Sequence, residues 1–197
     1  MVDIDGVVSL FGIPQSAAAA SADLAPRQPR PPAPSPPPAA PPPAAGSAEG
    51  PQVEGGLHSI DGIPHFLSST AATHLLALLP QFELVWASGW EEKANEHLPP
   101  LLGLPGPLPF LRFARRLESG SSTRAHWKLE AIESYAGERP LAWIDDAFNA
   151  ACHAWASART APTLLVSTMP DRGLTSREAE PLLAWAARHS PPAGHPA

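Results

Sequence analysis

Leu141-Ala142-Trp143-Ile144-Asp145-Asp146 opens the stretch that decides how this chain folds, and Thr163-Leu164-Leu165-Val166-Ser167 closes it. Both are apolar runs of strand length. Between them, across residues 147–158, Ala147, Ala151, Ala154, Trp155 and Ala158 recur at helical spacing. A face of small residues suits a helix packed closely on a sheet. Strand, helix and strand in succession predict a parallel pair joined by a crossover.

The same alternation extends outward. Residues 82–87 (Phe-Glu-Leu-Val-Trp-Ala) read as a second buried strand, and residues 1–4 as the end of another, stopped at Gly6. Only Met1 and Val2 precede Asp3, which is short for a buried strand; a start placed a few residues late would account for it. Helices are expected from a cap at Ser68, Ser69 or Thr70 to about Leu79, over residues 91–98 up to Pro99-Pro100, and over residues 127–135 up to Gly137. A last helix spans residues 180–189, with Pro181 in its first turn after the capped turn Thr175-Ser176-Arg177-Glu178. Leu57-His58-Ser59-Ile60 and Ile63-Pro64-His65-Phe66 flank Asp61-Gly62, the preferred pair for a tight hairpin, and Pro64 points to an edge position for the second arm. The fold class is therefore α/β, a parallel sheet with helices on both faces.

One long stretch breaks this pattern. Twelve of the 27 prolines fall between Pro26 and Pro51, so residues 14–56 read as a disordered Pro/Ala-rich insertion and the foldable part is nearer about 150 residues. Fully extended as polyproline II, residues 26–43 would reach on the order of 50 Å. Such a segment is either a passive insertion or a ligand for a proline-recognition domain, which Arg30-Pro31-Pro32-Ala33-Pro34 would suit loosely. Residues 191–197 read as a flexible tail.

A net charge of −6 argues against general nucleic-acid or anionic-membrane binding. Arg112, Arg115 and Arg116 form the one local basic cluster. Cys152 is the only cysteine, so there is no intrachain disulfide and no cysteine-rich metal site. Asp3 and Asp5 stand where a signal peptide would be basic. Residues 98–111 lack acidic and basic groups but contain five prolines and are too short to span a membrane. A soluble protein of the cytoplasm is expected.

Ligands on parallel sheets bind beyond the carboxyl ends of the strands. Asp3 to Asp5, Ser88 and Asp145-Asp146 all fall at such ends. Asp3 and Asp5, two apart, share one side of a strand and can converge on a ligand, one as nucleophile and the other as general acid and base; alternatively they only form the turn before Gly6. A calcium loop is excluded, because its twelfth position from Asp3 is Pro14 where a glutamate is needed. Asp145-Asp146 with Asp3 offers hard oxygen ligands for Mg²⁺, while Asp146 also suits the N-cap of a helix beginning at Ala147. The Ser88 hydroxyl and the Gly89 N–H could bind phosphate oxygen at a helix start, although Ser88-Gly89-Trp90-Glu91 also matches a capping box. Lys128 opens a helix, where the dipole disfavours a cation; it either neutralises phosphate or is simply exposed. Trp90 and Trp127 stand beside these residues and could line a cleft, and His126 could reach it. Cys152 reads as helix packing.

Taken in order, these pieces resemble the haloacid dehalogenase superfamily of phosphotransferases. Asp3-Ile4-Asp5-Gly6-Val7 is similar to its first motif, Ser88 in Trp86-Ala87-Ser88-Gly89-Trp90 to its second, Lys128 to its third, and Asp145-Asp146 after Trp143-Ile144 to its fourth. Residues 84–105, with Ala94-Asn95 and Leu101-Leu102-Gly103-Leu104-Pro105, look like a bacterial branch of that superfamily. The likeness covers residues 1–13 and 57–189. It implies a three-layer α/β/α Rossmann-like core, with Asp3 phosphorylated, Asp5 as general acid and base, and Lys128 as the neutralising cation. Mg²⁺ would be held by Asp3, the backbone carbonyl of Asp5 and an acid of Asp145-Asp146. Aspartate at position 5 implies a phosphatase. Where many relatives carry a folded cap, this chain has the proline-rich insertion, and only 39 residues separate Ser88 from Lys128. The expected site is open, covered only by the hairpin around Asp61-Gly62, and admits phosphorylated substrates of any size. The alternative is a non-catalytic protein of this fold that presents its proline-rich arm.

Overall fold

The structure is a computed structural model and describes residues 1–11, 53–113 and 127–189. Most of the proline-rich insertion, Arg115, Arg116, His126 and the tail at 191–197 lie outside the described residues.

Among the described residues, ten elements follow in chain order: β1 (Ser9–Leu10), β2 (Gly55–Ile60), β3 (Ile63–Ser68), α1 (Ser69–Leu78), α2 (Lys93–Leu102), α3 (Leu129–Ala136), β4 (Leu141–Asp145), α4 (Ala150–Ala158), β5 (Thr163–Ser167) and α5 (Ser176–His189). As expected from the opening stretch, β4 and β5 are parallel, with Leu141 opposite Thr163 and Asp145 opposite Ser167. The parallel pairing continues beyond β4. Val2 bridges Ile144 on one side and Trp86 on the other, and Trp86 in turn bridges Phe110, all in parallel sense. Backbone hydrogen bonds carry the same line: Asp3 N–H to Ile144 O at 3.0 Å, Ala87 N–H to Val2 O at 2.8 Å, and Leu111 N–H to Trp86 O at 2.9 Å. Residues 82–87 thus take part only around Trp86, through the backbone of Val85, Trp86 and Ala87, rather than as a full strand. Phe110 adds a flank that the prolines around it had concealed.

Side chains along these segments alternate between two hydrophobic clusters, as strand geometry requires. Val2, Ile4, Leu84, Trp86, Ala142, Ile144 and Val166 pack on one face with Leu75 and Leu78 of α1, Leu98 and Leu102 of α2, and Leu182 and Trp185 of α5. Met1, Val85, Ala87, Leu141 and Trp143 pack on the other with Ile132 and Ala136 of α3 and Cys152 of α4. Each fully buried aliphatic or aromatic side chain contributes about 1.5–3 kcal/mol.

Several local features differ from expectation. The prolines do not end α2, which runs through Pro99 and Pro100 to a left-handed Gly103 at φ 67°; the burial of Leu98 and Leu102 outweighs the donors that the two prolines lack. Helix α4 begins at Ala150, not Ala147, because Asn149 is its cap, accepting from Ala151 N–H at 2.8 Å and Cys152 N–H at 3.3 Å. It buries Cys152, with Trp155 half-buried, while Ala151, Ala154 and Ala158 face solvent. Helix α5 starts at Ser176, which places Pro181 beyond the first turn; Glu178 accepts from Thr175 N–H at 3.1 Å and from the Thr175 hydroxyl at 2.6 Å, as in a capping box. Strand β5 is half-buried rather than fully buried.

The second sheet is antiparallel in the order β1-β3-β2. Asp61 and Gly62 both take positive φ (52° and 79°), as the two-residue turn demands. Strand β3 is central rather than an edge. Pro64 is tolerated because β1 pairs only with Phe66 and Leu67, leaving the Pro64 side open. Ser68 caps α1, accepting from Ala71 N–H at 3.0 Å. No helix among the described residues is long and apolar enough to cross a membrane.

Candidate functional site

Since Val2 stands level with Trp86 and Ile144, Asp3, Ser88 and Asp145 all lie one or two residues past that level, at the carboxyl ends of three adjacent segments. Lys128 reaches the same point from the residue before α3.

Lys128 is buried, not exposed. Its ammonium lies 2.7 Å from Asp3 Oδ2 and 2.7 Å from Asp145 Oδ2, so one cation bridges two buried carboxylates. These contacts offset both its desolvation and its unfavourable place at a helix start. Burial pulls the Lys128 amine down, but Asp3 and Asp145 together carry it above its ordinary value. The other oxygens are also fixed. Asp3 Oδ1 accepts from Ile4 N–H at 2.8 Å and Asp145 Oδ1 from Ala147 N–H at 3.0 Å, while Trp143 Nε1–H donates to Asp145 Oδ2 at 3.2 Å. Burial pushes the Asp3 carboxyl up to about 6; Lys128 opposes this and Asp145 reinforces it.

Asp146 is half-buried, and its carboxyl is also raised, by burial and then by Asp145. It does not cap α4, which frees it for the acidic group. Asp3, Asp145 and Asp146 each offer an oxygen within 4.8 Å of the others. Fully ionised, three carboxylates against Lys128 leave two negative charges, a balance that suits a hard divalent cation bound through oxygen. Gly6 closes this side of the site. It has φ +71°, and a Cβ there would run into the Asp146 carboxylate. Its carbonyl accepts from the Thr168 hydroxyl at 2.8 Å, tying the first loop to the end of β5.

The Asp5 side chain is not part of the acidic group. Its Oδ2 accepts from Trp90 Nε1–H at 3.1 Å. Ser88 is buried and Gly89 exposed. The expected capping box does not form there: Glu91 takes a positive φ of 48° and its carboxylate accepts instead from Phe113 N–H at 2.9 Å. Trp127, half exposed, stands beside Gly89 and holds its ring 5.4 Å from the Lys128 ammonium. Thr168, His65 and Asn149 were not singled out from sequence. Thr168 carried a usable signal, a hydroxyl immediately after a strand end, and so did Asn149, a preferred N-cap residue ahead of an alanine-rich helix.

A cleft of about 490 Å³ opens at the opposite, amino end of the same segments, lined by Met1, Phe82, Tyr135, Arg139, Trp185 and His189 among others. Its charged groups are already satisfied, Arg139 by Glu83 at 3.1 Å and by the Tyr135 carbonyl at 2.5 Å. The chemistry therefore concentrates at the carboxyl ends. Comparison with known protein families, curated proteins and solved structures finds no match.

Proposed function

We propose that this chain is a Mg²⁺-dependent phosphatase acting through a phosphoaspartyl intermediate, on a three-layer α/β/α core of the haloacid dehalogenase type without a folded cap. The observation that carries this reading is the buried bridge from Lys128 to Asp3 and Asp145, with Asp146 alongside, at the carboxyl ends of parallel segments. The two hydrophobic clusters on opposite faces of those segments support the layered core.

Asp3 attacks phosphorus and the bond to the leaving oxygen breaks, with Asp5 supplying the proton that oxygen takes. Asp5, now ionised, withdraws a proton from water; the water attacks the acyl phosphate, releasing inorganic phosphate and restoring Asp3. Lys128 balances negative charge on the transferring group, and the Ser88 hydroxyl and Gly89 N–H bind its oxygens. Mg²⁺ would be held by Asp3, Asp145 and Asp146, joined by the Asp5 backbone carbonyl as the resemblance implies. When bound it would supply further neutralisation of phosphoryl charge. A cytoplasmic setting suits the single, buried Cys152.

Hydrolysis of 4-nitrophenyl phosphate by the purified chain, with and without Mg²⁺ and beside Asp3→Asn, tests the proposal. Metal-dependent turnover abolished by Asp3→Asn is the expected result. A well-folded chain with no turnover on this or a panel of other phosphate esters would instead favour a non-catalytic protein that presents residues 26–43 to a proline-recognition domain.

A further inference from the structure

Asp5 stands apart from the group centred on Lys128, and its surroundings are specific. Its Oδ2 receives the Trp90 indole N–H at 3.1 Å. The Trp90 ring meets His65 of β3 edge-to-face, with centroids 4.9 Å apart and planes at 68°. His65 Nδ1 is hydrogen-bonded to the hydroxyl of buried Ser9 at 3.0 Å, and Ser9 O accepts from Gly6 N–H at 2.8 Å. The contacts thus form a closed circuit, from Asp5 through Trp90, His65 and Ser9 back to Gly6 beside Asp5. Indole nitrogen can only donate, so this bond commits one carboxylate oxygen to Trp90 and fixes the plane of the other. The hairpin, through His65, and the first loop, through Asp5, both meet the Trp90 side chain.

We infer that Trp90 is a positioning residue for Asp5: it holds the carboxylate so that Oδ1 faces the leaving oxygen. The inference rests on the role proposed above for Asp5 as general acid. General acid help matters most when the leaving group is a poor one, so misplacing Asp5 should slow alkyl esters far more than activated aryl esters.

Trp90→Phe keeps a ring against His65 and removes only the donor. Comparing kcat/KM for an alkyl phosphate and for 4-nitrophenyl phosphate reads the step up to phosphoryl transfer, with folding checked by circular dichroism. The expected result is a loss of about tenfold or more on the alkyl ester and less than about threefold on the aryl ester. Equal losses on both, or no loss on either, overturn the inference. A second readout needs neither turnover nor this variant: in ¹⁵N-labelled protein, solvent-exchange protection of the Trp90 indole N–H should be present in the wild type and lost in Asp5→Ala. An unprotected indole overturns the inference. If the wild type hydrolyses neither ester nor any of the wider panel, the phosphatase reading fails, and the indole readout still decides whether Trp90 holds Asp5.

Discussion

Lys128 Nζ sits 2.7 Å from Asp3 Oδ2, with both side chains more than nine-tenths buried. A single ammonium serving two buried acids is costly to remove, because two carboxylates are then left without their counter-ion. Lys128→Met should destabilise the metal-free chain by about 3–5 kcal/mol. Urea denaturation with and without Mg²⁺ checks this. Mg²⁺ should also stabilise the variant more than the wild type, since the acids lose the cation that competes for them.

On the proposed reading, proton and metal would compete for the Asp3 carboxylate. The Asp3 carboxyl is raised from 3.8 to about 6, and a ligand must be deprotonated to bind. Mg²⁺ affinity should therefore be nearly flat above about pH 7, be halved near pH 6, and approach a tenfold fall per unit below about pH 5. Calorimetric titration between pH 5 and 8 gives the profile. Without metal the sign for stability is opposite to that of an ordinary salt-bridged aspartate. The folded carboxyl holds its proton more tightly than the unfolded one, so this group's contribution is full below pH 3.8 and is lost as pH rises through about 6.

Trp143→Phe tests the support beneath the site. The indole N–H at 3.2 Å is one of two donors to Asp145 Oδ2, and the ring lies in the core beside Phe148, with centroids 4.8 Å apart. Phenylalanine keeps most of the packing and removes the donor. A loss of about 2 kcal/mol is expected, as for a hydrogen bond to a charged group, with weaker Mg²⁺ binding. Denaturation and titration of the same variant separate the two effects.

Gly6→Ala should be worse for the site than for the fold. The added Cβ meets both a positive φ of +71° and the Asp146 carboxylate. Backbone strain of this kind costs about 1–3 kcal/mol, and relief by moving Asp146 would break up the acidic group. The expected outcome is a folded chain, seen by circular dichroism, whose thermal midpoint no longer responds to Mg²⁺.

Features with a local cause were legible in the sequence. Asp61-Gly62 turns the hairpin because those two residues tolerate positive φ, and Ser68 and the Thr175–Glu178 pair cap their helices through side chains a few residues away. The strand-end positions of Asp3, Ser88 and Asp145 followed from apolar runs stopping at polar residues. Features decided by distant partners were not legible. Lys128 is drawn inward by two acids that meet it only in the fold. Glu91 leaves the expected capping box for an N–H at Phe113, 22 residues away. Pro99 and Pro100 lie within a helix because Leu98 and Leu102 are buried under it, and Phe110 joins the parallel segments despite the prolines beside it. The donor from Trp90 to Asp5 spans 85 residues of chain, and nothing in either local sequence announces it.

The last prediction concerns the proline-rich insertion. Strand β1 ends at Leu10 and β2 begins at Gly55, and both pair with β3, where Leu10 and Leu57 each face Phe66. Two neighbours of one strand are only about 10 Å apart, so a short connection can replace the long one. Exchanging residues 14–51 for an eight-residue Gly/Ser linker shortens the connection to about a third, and loop-closure entropy then favours the folded chain by about 1 kcal/mol. Denaturation should show that small gain, and hydrolysis of 4-nitrophenyl phosphate should persist, because every residue of the proposed site lies outside the exchanged segment. Lost stability would instead mean that residues 14–51 pack on the core. Retained stability with lost hydrolysis would mean that they belong to the working site.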